Sequence, residues 1–177
     1  VIAGNYSGAK VDYAPARKHH KGWPMLGNLS GSFRIDKVSL ALDSAGGAVA
    51  HTGQGHTVKL GAVKAAIPNM EHDSQLRVTG DTSGPVAAYL ALAANSPLGE
   101  LLDGALDEAH GTGDWRMPLD LTVPLLNTDD TRVLGRIKFS DNSFSFMPEI
   151  PVLSQIHGDL EFSEKGVQTK GIRAQFL

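Results

Sequence analysis

The chain has 177 residues, and 16 Lys+Arg against 19 Asp+Glu leave it at a formal −3. Leu, Ile, Val and Phe make up about a quarter of it, enough to bury a core in one domain, which excludes disorder, collagen and coiled coil. Without a Lys/Arg run there is no electrostatic footprint for nucleic acid, and zero cysteines exclude a disulfide scaffold, a thiolate zinc site and a thiol nucleophile.

Residues 1–23 carry no clear period. Their Tyr6-x-x-x-Lys10 spacing matches the Tyr/Lys pair of short-chain dehydrogenases, but no dinucleotide-binding strand and glycine loop precedes it, so the match is chance. Strand-like alternation begins at Leu29-x-Gly31-x-Phe33-x-Ile35 and continues through Val38, Leu40 and Leu42. Residues 48–52 and 56–67 predict a hairpin around Thr52-Gly53-Gln54-Gly55, and Gln75–Thr79 a further strand. Together these form a first β block over 24–83.

A helical pair follows over 84–110. Gly84-Pro85 opens it, and Val86, Tyr89, Leu90 and Ala93 fall at helical spacing. Ser96 is set as an N-cap with Pro97 at the first helical position. Leu98, Leu101, Leu102, Ala105, Leu106 and Ala109 make an apolar stripe that ends at Gly111. The opposite face carries Glu100, Asp103, Asp107 and Glu108, with His110 one turn on; this is read as a solvated face rather than a carboxylate–imidazole site.

The second β block, 113–177, starts with the clearest alternation of all: Trp115, Met117, Leu119, Leu121, Val123 and Leu125. Pro118 and Pro124 remove ladder donors from this strand and suggest an edge or a bulge. Asn127-Thr128-Asp129-Asp130 reads as a turn into Val133-x-Gly135-x-Ile137-x-Phe139, and Ser140-Asp141-Asn142 as a second turn into Phe144 and Phe146. Ile156-x-Gly158-x-Leu160-x-Phe162 then leads through Ser163-Glu164-Lys165-Gly166 to a return strand with Ile172, Ala174 and Phe176. The pattern predicts an α+β fold, mostly antiparallel, with about eight to ten strands in a curled sheet. The chain starts on Val and stops within a strand-like pattern, so 1–177 reads as one segment of a longer protein.

No chemistry-bearing constellation emerges. Seven histidines form no zinc motif; His51 and His56 flank one glycine turn, but two imidazoles fall short of the three ligands of a catalytic zinc. Gly27-Asn28-Leu29-Ser30-Gly31 is not a nucleophile elbow. The expectation is therefore no catalytic residues, no metal and no cofactor. The remaining feature is an apolar sheet face larger than two short helices can cover, which needs its own curl, a partner or an acyl chain to shield it.

Asn95-Ser96-Pro97-Leu98, then Gly113-x-Trp115-x-x-x-Leu119-x-Leu121-x-Val123-Pro124-Leu125, then the two Gly-centred strands at 133–139 and 156–162, ending in Gly166-Val167 and Ile172-x-Ala174, make an ordered succession. Over about Gly27 to Leu177 it resembles the central region of YhdP-like proteins, in the AsmA-like superfamily of Gram-negative bacteria. The resemblance implies a periplasmic segment of a protein held in the inner membrane by an N-terminal helix of the parent chain, forming a curled sheet with a hydrophobic groove. It implies a non-enzymatic role in phospholipid transport to the outer membrane and envelope integrity, with acyl chains and neighbouring segments of the parent chain as partners. The alternating apolar positions Leu29, Phe33, Ile35, Trp115, Met117, Leu119, Leu121, Val123, Ile137, Phe139, Ile156, Leu160 and Phe162 carry over as candidate groove lining. The alternative is a structural or interaction β module with no ligand of its own.

Overall fold

The structure is a computed structural model that describes residues 1–177 apart from 17, 19–20, 54, 73, 103, 105, 127–131, 164–165 and 177. The first block supplies β1 (Ile2–Val11), β2 (Met25–Asp36), β3 (Ser39–Ser44), β4 (Ala48–Gly53), β5 (His56–Ile67) and β6 (Gln75–Pro85). Helices α1 (Val86–Asn95) and α2 (Pro97–Leu101) follow, then β7 (His110–Thr112), β8 (Asp114–Pro124), β9 (Arg132–Ser145), β10 (Leu153–Ser163) and β11 (Gly166–Phe176). All described strands join one antiparallel sheet in the order β1-β2-β3-β5-β6-β8-β9-β10-β11, with β4 bridging β2 and β5 and β7 added to β9. The sheet curls without closing into a barrel. This is the mostly antiparallel α+β fold that the alternation predicts.

Register aligns the apolar residues in rows across the strands. One row runs Phe33, Leu42, Ala65, Val78, Leu121 and Val133, each the direct partner of the next on β2, β3, β5, β6, β8 and β9. The adjacent row runs Tyr6, Gly31, Ser44, Val63, Gly80, Leu119, Gly135 and Phe162. Its glycines are positions where a neighbour occupies the space of a side chain. The outer end of the Phe162 ring occupies the space a Gly135 side chain would take, and the Phe33 ring does the same at Gly4. At Gly31 a Cβ would collide with the backbone carbonyl of Asp43. Thus the glycine at the centre of the repeated apolar-x-Gly-x-apolar pattern serves cross-strand packing at 31 and 135. Replacing Gly135 with Val forces Phe162 off its seat and overpacks the sheet. The expected cost is about 1–3 kcal/mol, a fall in Tm of roughly 3–10 °C measurable by circular dichroism.

Bulges reverse the parity of several strands. Gly8 (φ 61°) lies within the irregularity between Tyr6 and Ala9, so Tyr6 and Ala9 both face inward; the shift between Leu60 and Val63 does the same on β5. On β9 the inward residues change from Val133, Ile137 and Phe139 to Asn142 and Phe144 around Asp141 at φ 61°. Here the sequence expectation of a turn at Ser140-Asp141-Asn142 is corrected: β9 is one strand of 14 residues that bulges there. Asn142 fills the bulge from inside, accepting from the Ser140 N–H at 2.9 Å and donating to the carbonyls of Thr112 and Asp114 at 3.2 and 3.3 Å. The turn expected at 127–130 and the Glu164-Lys165 tip lie outside the described residues.

β8 is not an edge strand. It pairs without a break along β6, from Gln75–Pro124 to Pro85–Asp114, and on its other side with β9. The β9 ladder skips from Arg116 to Leu119, around Pro118, and ends at Thr122, short of Pro124. The prolines therefore stand where that ladder makes no pair. Two further elements escape the sequence reading. β1 is an exposed edge strand of weak alternation, and β7 is a three-residue strand that begins at His110, where the helical pair was expected to end.

The helices stay within 84–110 but are shorter than the apolar stripe. Gly84 and Pro85 still belong to β6, and α2 stops at Leu101. Gly104 at φ 72° and Gly99 inside a five-residue helix oppose continuation. The chain then folds in tight turns, Asp107 N–H to Gly104 O and Ala109 N–H to Leu106 O, before entering the sheet as β7. Ser96 caps α2 as its sequence predicts, accepting from the Leu98 N–H at 3.3 Å with Pro97 at the first position.

Candidate functional site

The inner face of the curl carries an apolar trough with about 290 Å³ of free interior. Its floor and walls come from nearly every strand of the first block, from β8, and from Val133 and Phe162 of β9 and β10. Tyr13, Trp23 and Pro24, in the segment between β1 and β2, close over one side, and Tyr89, Leu92 and Leu98 of the helices close another. The segment is tied down by Trp23 N–H to Ala14 O at 2.9 Å and by Lys21 Nζ donating to Ala94 O at 2.8 Å, beside the C-terminus of α1.

The few polar groups in the trough are accounted for. Tyr89 Oη and Thr82 Oγ1 are 2.9 Å apart, and Thr82 donates to the Met117 carbonyl at 2.8 Å. Burial pushes the Tyr89 phenol up to about 12, partly offset by the Thr82 hydrogen bond. Burial likewise raises Tyr13, with Asp12 adding to the effect. Ser44 donates to the Ser30 carbonyl at 3.2 Å. The trough therefore offers methylene and aromatic surface, with the hydroxyls of Tyr6, Ser44, Thr82 and Tyr89 already engaged.

Five of the thirteen alternating positions line this space: Leu29, Met117, Leu119, Leu121 and Phe162. Trp115, Ile137, Phe139 and Ile156 instead sit in packed core beneath α1 with Val86, Ala88 and Tyr89, and Leu160 packs against that cluster. The Trp115 indole is ringed by Tyr89, Phe139 and Phe144 at centroid distances of 5.6–5.8 Å, and its N–H has no hydrogen-bond partner among the described residues. Val123 is buried with Leu121 and Val133. Phe33 and Ile35 are half-buried on β2, Phe33 against Gly4. The second-block strand is thus divided, open trough at its middle and closed core where α1 lies on it.

Lining residues outside those thirteen include Leu42, Val58, Leu60, Val63, Leu76 and Val78. Their alternation marks them as strands, but only register places them opposite Leu119 and Leu121. Tyr6, Ala9 and Val11 carried no signal, because the bulge at Gly8 breaks their period.

The other candidates do not assemble into chemistry. His51 is exposed and His56 half-buried, and no three His, Asp or Glu side chains cluster as a metal site among the described residues. His110 lies on β7 and contacts the Glu108 carbonyl, while Asp107 sits in the turn after α2. His19, His20 and Asp103 are outside the described residues. Tyr6 and Lys10 stand on β1, where Tyr6 Oη donates to the Asp43 carbonyl at 3.2 Å.

A family model described as "YhdP protein" matches residues 6–177, from within β1 to the end of the sequence. The chain belongs to the YhdP family. Searches of curated proteins and of solved structures return no match. Within this YhdP-family chain the matched region includes both β blocks, the helices and the trough, so the match concerns the whole curled sheet rather than one motif.

Proposed function

We propose that this YhdP-family segment holds lipid acyl chains in its trough as a non-enzymatic part of a phospholipid-transport protein. The observation that carries the reading is the trough itself, an inner sheet face whose lining is overwhelmingly aliphatic and aromatic and whose Thr82 and Tyr89 hydroxyls are paired. Transfer along such a surface is passive. The trough replaces water around each methylene, a saving on the order of 0.8 kcal/mol per CH₂. The outer edges of β1 and β11, which end the strand order, are where neighbouring segments of the parent chain would extend the sheet.

In this reading the protein works in the periplasm, anchored in the inner membrane by a helix of the parent chain, and serves phospholipid delivery to the outer membrane and envelope integrity. Among the described residues no helix is long and apolar enough to cross a membrane. In this reading the acyl chains also pack against Tyr89 and Leu92, which α1 contributes to the lining.

A photo-crosslinking amino acid at Leu119, which is half-buried and lines the trough, tests the reading in the full parent protein. The expected result is covalent capture of phospholipid at 119 and none at Lys64, which is exposed on β5. Equal labelling at both positions, or none at 119, leaves a structural β module joined to its neighbours through its edges.

A further inference from the structure

The outer face of the sheet carries a cationic row that the trough does not use. Lys59 on β5 pairs with Ser83 on β6, Ser83 with Arg116 on β8, and Arg116 with Lys138 on β9. Side chains of direct cross-strand partners stand about 4.5–5.5 Å apart at Cβ, and like charges opposite one another are destabilising. Arg116 and Lys138 are such a pair. Among the described residues neither they nor Lys59 have a carboxylate within 4.0 Å. Two residues further along β9 the chain does neutralise its cation, as Arg136 meets Glu161 at 2.9 Å.

The row floors a polar cleft of about 940 Å³, with Ser140 and Thr57 adding hydroxyls and Asp114, at one side, the only carboxylate among the described lining residues. On its other side Lys138 stands in direct register with Asp159 of β10, which is not among the described lining of the cleft and makes no ion pair with it within 4.0 Å. Three cations outnumber the two neighbouring carboxylates, Asp114 in the cleft and Asp159 in register with Lys138, and their arrangement around hydroxyl donors in a concavity is the chemistry of phosphate recognition. Asp114 adds an acceptor suited to a hydroxyl on the same ligand.

We propose that the Lys59–Arg116–Lys138 cleft binds a phosphate ester bearing a free hydroxyl group, on the face of the sheet opposite the acyl trough. The proposal does not depend on the lipid reading of the trough. The phosphate has two sources, a glycerophosphate headgroup at a membrane surface or a soluble phosphate ester, and the experiment separates them. Calorimetric titration of the protein with glycerol 3-phosphate, at ionic strength matched with sodium chloride, is expected to give saturable binding. Arg116→Gln with Lys138→Gln should weaken it at least tenfold, Lys59→Gln alone should weaken it several-fold, and Lys64→Gln on the same face should leave it unchanged. All four side chains are exposed, and a thermal melt of each variant checks that folding is retained.

Flotation with phosphatidylglycerol vesicles but not phosphatidylcholine vesicles, lost in the double variant, assigns the headgroup as the source. Binding of glycerol 3-phosphate without flotation assigns the soluble ester. The proposal is overturned if neither probe binds saturably, or if Lys64→Gln weakens binding as much as the row variants do.

Discussion

Leu121→Asp is expected to cost roughly 3–5 kcal/mol at pH 7, the combined effect of losing a buried aliphatic side chain and burying an unpaired carboxylate. Leu121 is 4% exposed, packed with Val123 and Val133 and flanked in register by Val78. No cation stands in that row to receive the new charge. Burial raises the folded pKa of the introduced carboxyl above its unfolded value of about 3.9. The folded state therefore binds the proton more tightly, so the deficit is full above the folded pKa and shrinks as pH falls toward 4. Urea titrations at pH 7 and pH 4.5 check the sign, since the gap between variant and parent protein should be smaller at the lower pH. A gap that does not depend on pH would mean that the carboxylate reaches water through the trough.

Asn142→Leu should be comparably severe despite being close to isosteric. Asn142 is 1% exposed and joins three backbone groups: the Ser140 N–H and the carbonyls of Thr112 and Asp114. An apolar side chain strands those part-buried groups next to the bulge at Asp141, each at a cost of about 1–2 kcal/mol. The expected loss is roughly 3–6 kcal/mol, seen as an early melt of the β7–β9 junction by hydrogen exchange. If Asn142 acted only by filling space, the change would be nearly neutral. Asn142 also stands where β7 passes into β8, because a side chain at Gly113 (φ 87°) would collide with its amide nitrogen.

The trough and its lid were unevenly legible. Leu119, Leu121 and Phe162 could be read from period alone, because their strands alternate without interruption across the trough. Trp115 and Phe139 alternate just as cleanly and yet lie in closed core, since α1 packs over them and periodicity does not say what lies above a face. Ser140-Asp141-Asn142 reads locally as a turn by composition, but pairing of β9 with both β8 and β10 holds it in a continuous strand. Tertiary hydrogen bonding outweighs turn propensity there. Leu98, Leu106 and Ala109 of the apolar stripe pack against core as its pattern predicts, although α2 itself ends at Leu101.

By itself the sequence determined the class of this protein: period-2 alternation requires strands with one buried face, the Ser96-Pro97 cap starts a helix, and absent spacings leave no metal or nucleophile motif. Which apolar residues meet one another was decided only by the tertiary structure. Bulges at Gly8, Gly61–Ala62 and Asp141 each shift the pairing by a residue, and every shift moves the following side chains to the opposite face. Open trough and closed core therefore depend on strand register and on where α1 lands, and those long-range pairings leave no trace in a local window of sequence.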